Sequence, residues 1–140
     1  MKKFICLLLV LVMTFSFSAC GGYEPIEPTT SAPAVEMDLK IINNDYENNE
    51  LNARETHEGK RYKIMAKVNR ISDNYVNVSP LNINGSYSVY LYYKNTEYDF
   101  VRSISKDDII TFEGTLTTIH SSIHMEFKNV IFIDKLEVTN

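Results

Sequence analysis

Along the chain, hydrophobic positions first follow a helical period and then, after Gly59, a strand period. Apolar residues recurring every three or four positions predict an amphipathic helix from about Glu36 to Asn48. The residues that carry this pattern are Val35, Leu39, Ile42 and Tyr46. Pro33 lies where a helix can begin, because the first helical position needs no amide donor. A second short turn is predicted to run to Thr56, and Gly59 ends the segment.

Beyond Gly59 the period falls to two residues, as in half-buried strands. The first strand carries its apolar positions at Tyr62, Ile64, Ala66 and Val68. Residues 72–74 predict a turn, and residues 75–83 and 86–94 predict a hairpin around Asn84–Gly85, because this pair favours a two-residue type I′ turn. Pro80 indicates that its strand is bent or lies at an edge. Residues 95–105 predict a connection that contains a short helix.

Two further strands complete the pattern, at residues 108–120 and 125–138. Gly114 lies in the middle of the first, which predicts a bulge or a sharp bend. Phe112 and Leu116 are expected to point into the core on either side of Gly114, with Ile110 beside them. Five strands, an N-terminal helix and a short helix between strands three and four predict a mainly β protein. The expected architecture is a five-stranded OB-fold, a Greek-key barrel.

The Asn84–Gly85 turn also predicts a register and therefore two faces of the hairpin. A two-residue turn pairs Asn77 with Tyr92 and Tyr75 with Lys94. The face predicted to form the core carries Val76, Val78, Tyr87, Val89, Leu91 and Tyr93. The opposite face carries Tyr75, Leu81, Ile83, Tyr90 and Tyr92.

The tyrosines of that opposite face, Tyr75, Tyr90 and Tyr92, are candidate ligand-binding residues, because OB-folds usually bind ligands on the face of strands two and three. Two alternatives to ligand binding by these tyrosines remain open. The N-terminal helix could cover the rings, or the tyrosines could be β-forming residues on a sheet surface.

Short sequence motifs resemble a known family. Tyr46, Asn49 and Ala53 are followed by Gly59–Lys60 and the alternating strand. Residues 104–114, ISKDDIITFEG, look like a Lys-Gly-Asp turn, a strand and a glycine, with Asp107 in place of the glycine of the turn. From residue 39 to residue 133 the chain resembles the tRNA-anti-like bacterial OB-fold proteins, many of which are secreted or lipid-anchored. The resemblance implies an OB-fold and brings no catalytic motif.

The first twenty residues have the layout of a bacterial lipoprotein signal. Two lysines precede an uncharged apolar run that is too short to span a bilayer, which needs roughly 20 apolar residues. Phe17-Ser18-Ala19-Cys20 resembles the lipobox, in which the cysteine is acylated and becomes the new N-terminus. The alternative is an ordinary secretory signal with a chance cysteine. We therefore predict a signal peptide at 1–19, lipidated Cys20 with a proline-rich linker at 20–34, and the OB-fold domain at 35–140.

Net charge and cysteine content limit the classes of partner and the thiol chemistry that are expected. The chain has 14 Lys and Arg and 18 Asp and Glu, and loss of Lys2 and Lys3 with the signal leaves 12 against 18, a balance of −6. An acidic domain is poorly suited to nucleic acid, whose phosphates attract Lys and Arg. Of the two cysteines, Cys6 would be removed and Cys20 acylated, so neither a disulfide nor a free thiol is expected. Membrane contact is predicted through the acyl chains of Cys20 alone.

Histidines are the remaining candidates for chemistry. His120 and His124 flank residues 121–123, which read as the loop between the last two strands, and Glu126 is the only nearby third ligand. The pair is a candidate ligand contact, and no metal site is predicted, because this spacing is typical of helical metal sites. The alternative is two exposed loop histidines. His57, near the end of the helical segment, is expected to be structural.

No arrangement of residues indicates an enzyme. The sequence has neither a GxSxG elbow nor a phosphate-binding loop, and the adjacent Asp107 and Asp108 should point to opposite sides. We therefore expect a non-catalytic, lipid-anchored binding module without a cofactor on the extracytoplasmic face of the cell membrane. Its expected ligand is a protein, a peptide or a glycan. The alternatives are an oligonucleotide-binding OB domain and a structural accessory of an envelope complex.

Overall fold

The strand-period segments close into a five-stranded barrel. The computed structural model describes residues 33–81 and 87–136. The predicted signal peptide, Cys20, most of the linker and the Asn84–Gly85 turn lie outside these residues. Among the described helices, none combines the length and the apolar composition that crossing a bilayer requires.

The described elements confirm the predicted mainly β architecture. The strands are β1 (Val35–Glu36), β2 (Arg61–Ile71), β3 (Tyr75–Ser79), β4 (Ser88–Tyr93), β5 (Ile109–Ser121) and β6 (His124–Leu136). The helices are α1 (Leu39–Asn48), α2 (Glu50–His57) and α3 (Tyr98–Ser103), with a 3₁₀ turn at Asn95–Glu97. As predicted, a short helix connects the third and fourth barrel strands, β4 and β5.

The strand order is that of an OB-fold barrel. The order is β1-β2-β3-β4-β6-β5, and pairing of β2 with β5 closes the barrel. The β4–β6 pair is parallel, and the other four barrel pairs are antiparallel. Within the barrel, β2 pairs with β5 through residues 61–67 and with β3 through residues 67–71.

Inward-facing residues of all five strands form the core as the alternation predicted. Ile110, Phe112 and Leu116 are each 0% exposed, which confirms their predicted orientation. The ring of Phe112 meets that of Phe127 edge-on, with 5.4 Å between centroids. A Cβ atom on Gly114 would lie 3.1 Å from Val130 Cγ2, and the β5–β6 register shifts beside it. The predicted irregularity at Gly114 is therefore present, and the close approach of β6 explains the glycine.

The predicted start of the N-terminal helix is wrong. α1 begins at Leu39, because the Asp38 side chain caps it by accepting a hydrogen bond from the Lys40 amide at 2.9 Å. Val35 and Glu36 instead form β1, which pairs in parallel with β2. Pro33 consequently precedes a strand rather than a helix.

The motif residues of the resemblance have local structural roles. Asn49 ends α1, and its side chain caps α2 by accepting from the Asn52 amide at 3.1 Å, so the predicted second turn is a full helix. Ala53 is fully buried. Gly59 has φ 81°, a conformation that favours glycine, and its amide donates to the Leu116 carbonyl at 2.7 Å. Asp107 has φ 74° in the position where the family pattern has glycine.

The predicted hairpin register is wrong by two residues. Tyr75 pairs with Tyr92 and Asn77 with Tyr90, whereas a two-residue turn at Asn84–Gly85 would pair Asn77 with Tyr92. β3 ends at Ser79, just before Pro80, so an eight-residue connection joins the strands. A connection of this length does not impose a register, and barrel closure sets it instead. Because the shift is an even number, the paired residues of β3 and β4 keep their predicted faces.

Candidate ligand-binding face

The five side chains predicted to contact a ligand lie together on the outer surface of the barrel. Tyr75 comes from β3, Tyr90 and Tyr92 from β4, and His120 and His124 from the ends of β5 and β6. In the parallel β4–β6 pair, Ser88 is opposite His124 and Tyr90 is opposite Glu126. This pairing places His124 directly beside Tyr90.

Tyr75, Tyr90 and Tyr92, which we call the tyrosine face, form one aromatic group. The Tyr75 ring meets the Tyr90 ring edge-on at a centroid distance of 5.1 Å and the Tyr92 ring at 6.1 Å. Tyr90 and Tyr92 stack at 6.4 Å. Edge-on and stacked pairs of this kind are favourable, so the three rings support one another's positions.

Each tyrosine of the tyrosine face is partly buried and partly exposed to solvent. Its ring contacts are with one another and with His124. Within residues 33–81 and 87–136, none of its hydroxyls has a hydrogen-bond partner and neither α1 nor α2 makes a ring contact with it. All three tyrosines keep part of their surface exposed, so the described helices do not enclose them. Burial raises the pKa of Tyr92, and the Glu126 carboxylate raises it further.

His120 and His124 both lie on strands, and the predicted loop at 121–123 shortens to Ser122–Ile123 because β5 extends to Ser121. Ile119 pairs with Met125 and Ser121 with His124, so His120 is the extra residue of a β-bulge. A bulge can re-aim a side chain. Here the imidazole rings of His120 and His124 approach to a centroid distance of 4.5 Å.

Glu126 joins the two histidines. Its Oε1 atom lies 3.4 Å from Nε2 of His120 and 4.0 Å from Nε2 of His124. We call His120, His124 and Glu126 the open histidine group, because the histidine side chains are 49% and 40% exposed. The His124 ring lies 5.3 Å from that of Tyr90, which makes the group continuous with the tyrosine face.

Two side chains, one in α1 and one directly after α2, hold the end of β5 in place. The Tyr46 hydroxyl of α1 donates to the His120 carbonyl at 3.2 Å. The Ile119 amide donates to Oε1 of Glu58 at 2.8 Å. The helices thus anchor the backbone that carries the open histidine group while leaving its side chains accessible.

His57 belongs to a second histidine group, in which both of its ring nitrogens have protein partners. It is 3% exposed at the last position of α2. Its Nδ1 lies 2.9 Å from the Tyr62 hydroxyl and its Nε2 lies 2.8 Å from Oδ2 of Asp45. We call Asp45, His57 and Tyr62 the buried histidine group. Burial raises the pKa of Tyr62, and the Asp45 carboxylate adds to the rise.

Sequence reasoning missed two features. The buried histidine group joins residues 12 and 5 positions apart, for which no motif exists. A groove of about 550 Å³ lies between the start of α1 and strands β2, β5 and β6, and none of the predicted site residues lines it. Exposed aliphatic residues such as Met65 and Ile133 line part of that groove and give no recognisable sequence signal.

Asp107 and Asp108 are engaged in separate contacts. Asp107 pairs with Lys67 at 3.6 Å, whereas Asp108 accepts from the Ser105 amide at 2.7 Å and pairs with Lys135 at 3.7 Å. The two carboxylates therefore stabilise different parts of the connection between α3 and β5.

Comparison with a solved structure supports the fold. The structure resembles that of a lipoprotein from Klebsiella pneumoniae that is proposed to bind nucleic acid, with a TM-score of 0.58 and 12% identity, over 72% of this chain and 92% of that one. It also has some similarity to an OBody bound to hen egg-white lysozyme, with a TM-score of 0.43 and 15% identity, over 58% of this chain and 88% of that one. No family model matches the sequence. No curated protein matches it either.

Proposed function

We propose that this protein is a non-catalytic binding module, held at the extracytoplasmic face of the cell membrane by acylated Cys20. Its ligand, a protein, a peptide or a glycan, would contact Tyr75, Tyr90 and Tyr92. The observation that carries the proposal is a pre-arranged, accessible tyrosine face on the strands where OB-folds usually bind ligands.

The chemistry of tyrosine suits this role. A tyrosine ring offers apolar contact area and a hydroxyl tip, and binding orders few bonds in its side chain. The rings already pack against each other, so little further ordering is required when a ligand binds. Ser122–Ile123, the turn between β5 and β6, lies beside the face and corresponds to one of the loops that OB-folds use in recognition.

Membrane anchoring is supported by the Phe17-Ser18-Ala19-Cys20 motif and by the structural likeness to a lipoprotein. A diacylated cysteine supplies the two chains that stable anchoring needs. Cys20→Ala should abolish labelling with a radioactive fatty acid and release the protein from membranes. Equal labelling of the variant and the parent protein would reject the anchor.

Oligonucleotide binding is the second candidate, because the Klebsiella lipoprotein of similar fold is proposed to bind nucleic acid. Stacking of bases on aromatic rings would use the same tyrosine face. The carboxylate of Glu126 beside this face and the acidic balance of the chain disfavour phosphates. We therefore place this candidate below a protein, peptide or glycan ligand.

Replacing both Tyr90 and Tyr92 with Ser tests the proposed face. Each side chain is only half-buried, so we expect the melting temperature to change by only a few degrees while captured envelope components are lost. Capture from envelope extract is followed by titration with defined peptides, glycan fragments and single-stranded oligonucleotides. The matched control is Tyr98→Ser, which removes a 37%-exposed tyrosine of α3.

The outcomes separate the candidates. A double variant that loses its peptide or glycan ligand but keeps its stability supports the proposal. A destabilised double variant that still binds would show that the rings are packing residues. Micromolar oligonucleotide binding by the parent protein, with a steep dependence on salt concentration, would favour the second candidate instead.

A further inference from the structure

The open histidine group gathers three metal-binding side chains at the end of the β5–β6 hairpin. We propose that His120, His124 and Glu126 bind a first-row divalent transition metal, such as Zn²⁺, through two imidazole Nε2 atoms and one carboxylate oxygen. Their ligand atoms all lie within 4.8 Å of one another. The inference does not depend on ligand binding by the tyrosine face.

The distances are close to those of a coordination sphere. Zn–N and Zn–O bonds of about 2.0–2.1 Å in tetrahedral geometry place two ligand atoms about 3.3 Å apart. Oε1 of Glu126 lies 3.4 Å from Nε2 of His120 and 4.0 Å from Nε2 of His124. Small rotations of the half-exposed histidine side chains would bring all three atoms onto one metal ion.

The donor set fits a metal with an open coordination position. Two imidazoles and a carboxylate are common ligands of Zn²⁺, and three protein ligands leave the fourth position for water or a bound molecule. The Irving–Williams order predicts that Cu²⁺ binds the same donors more tightly than Zn²⁺. The open position would lie near Tyr90, whose ring is 5.3 Å from that of His124.

The backbone of the group is pre-arranged. His120 occupies a β-bulge opposite His124, and Glu126 follows two residues later on the same face of β6. Contacts from Tyr46 to the His120 carbonyl and from Glu58 to the Ile119 amide fix the bulge. Metal binding would therefore order three side chains without requiring the hairpin to form.

The residues around the open histidine group determine how tightly we expect it to bind Zn²⁺. Among the described residues, no hydrogen bond reaches Nδ1 of His120 or His124, whereas ligating histidines in tight sites usually donate this N–H to a protein acceptor. Missing outer contacts typically weaken metal binding about 10–100-fold. We therefore expect a dissociation constant for Zn²⁺ in the micromolar range.

Calorimetric titration with Zn²⁺ tests the site directly. The untagged full chain is used in detergent, with Cys6→Ser and Cys20→Ser so that no thiol competes for the metal. We expect one Zn²⁺ per chain and about 100-fold weaker binding in the His120→Ala/His124→Ala variant. Glu126→Gln should weaken binding about tenfold, and the control Glu36→Gln, at a carboxylate 84% exposed on β1, should not change it.

Histidine NMR signals locate the bound metal, because the chain contains only three histidines. On addition of Zn²⁺, the signals of His120 and His124 should shift, while that of buried His57 should stay in place. Equal Zn²⁺ affinity of the double-alanine variant and its parent, a shift of His57 alone, or no binding at 100 μM Zn²⁺ would each overturn the proposal.

The Tyr90→Ser/Tyr92→Ser variant separates this inference from the proposed function. Neither tyrosine is a proposed metal ligand, so the variant should bind Zn²⁺ within about twofold of the parent while losing its peptide or glycan ligand. Loss of Zn²⁺ binding in this variant would reject the three-ligand assignment. Failure of the parent to bind Zn²⁺, with ligand binding intact, would reject the metal site alone.

Discussion

The two histidine groups contain similar side chains but differ in how accessible their histidine rings are. In the buried group, His57 is 3% exposed and both ring nitrogens have protein partners within 3 Å. In the open group, His120 and His124 have half-exposed rings and share a single carboxylate oxygen. Each group combines imidazole and carboxylate and has a tyrosine nearby.

The two groups differ in whether each histidine ring nitrogen has a hydrogen-bond partner in the protein. In a neutral His57 ring, Nε2–H donates to the Asp45 carboxylate and Nδ1 accepts from the Tyr62 hydroxyl. No ring nitrogen is left over, so the group can only link α1 and α2 to the start of β2. In the open group the histidine side chains remain 49% and 40% exposed, and their only described ion-pair partner is Glu126. Similar residue types thus act as a structural link in one place and as a candidate binding site in the other.

The largest expected effect is that of His57→Ala. The change removes a buried ring and leaves the Tyr62 hydroxyl, on a residue 2% exposed, without its partner. Lost hydrogen bonds and an unfilled site should lower the free energy of unfolding by about 3 kcal/mol. Urea unfolding followed by circular dichroism measures this. A loss below about 0.5 kcal/mol would show that the buried group is not a structural link.

A smaller loss is expected for Tyr62→Phe. The ring remains in the core and only the hydroxyl that donates to Nδ1 of His57 is removed. Leaving one buried nitrogen unpaired should cost about 1–2 kcal/mol, measured by the same unfolding experiment. Tyr98→Phe is a suitable control, because that residue is 37% exposed. Equal changes in the two variants would contradict the role assigned to the buried contact.

The smallest effect is expected for His120→Ala combined with His124→Ala in metal-free protein. Both side chains are about half exposed, and each pairs weakly with Glu126. Exposed ion pairs contribute little, so the free energy of unfolding should stay within about 0.5 kcal/mol of the parent. Thermal melts in the presence of a chelator provide the measurement. A loss comparable with that of His57→Ala would remove the distinction between the two groups.

Much of the fold was predictable because the signals are local. The two-residue period of Tyr62, Ile64 and Ala66 predicts a half-buried strand wherever it occurs, and all three are buried in β2. Gly114 marked the point where β6 approaches closely. The start of α1 was mispredicted because Val35 fits the helical period, whereas pairing with β2 draws it into a strand.

That Tyr75, Tyr90 and Tyr92 lie on one face was predicted correctly even though their register was not. Side chains alternate along each strand, so Tyr90 and Tyr92 share a face whatever their partners on β3 are. The pairing itself joins strands separated by eight residues in the chain and depends on closure of the barrel. Whether a helix covered the rings was likewise undecidable from sequence, since local patterns do not specify where α1 packs.

The sequence by itself determined which residues alternate, where strands break and which side chains share a face, because these properties arise between neighbours in the chain. Tertiary structure determined which residues come together in the two histidine groups. A bulge turned His120 toward His124 and Glu126, and packing of the helices enclosed His57 between Asp45 and Tyr62. The physical reason is that a bulge and helix packing depend on contacts between segments far apart in sequence, and those contacts set which histidine nitrogens remain available.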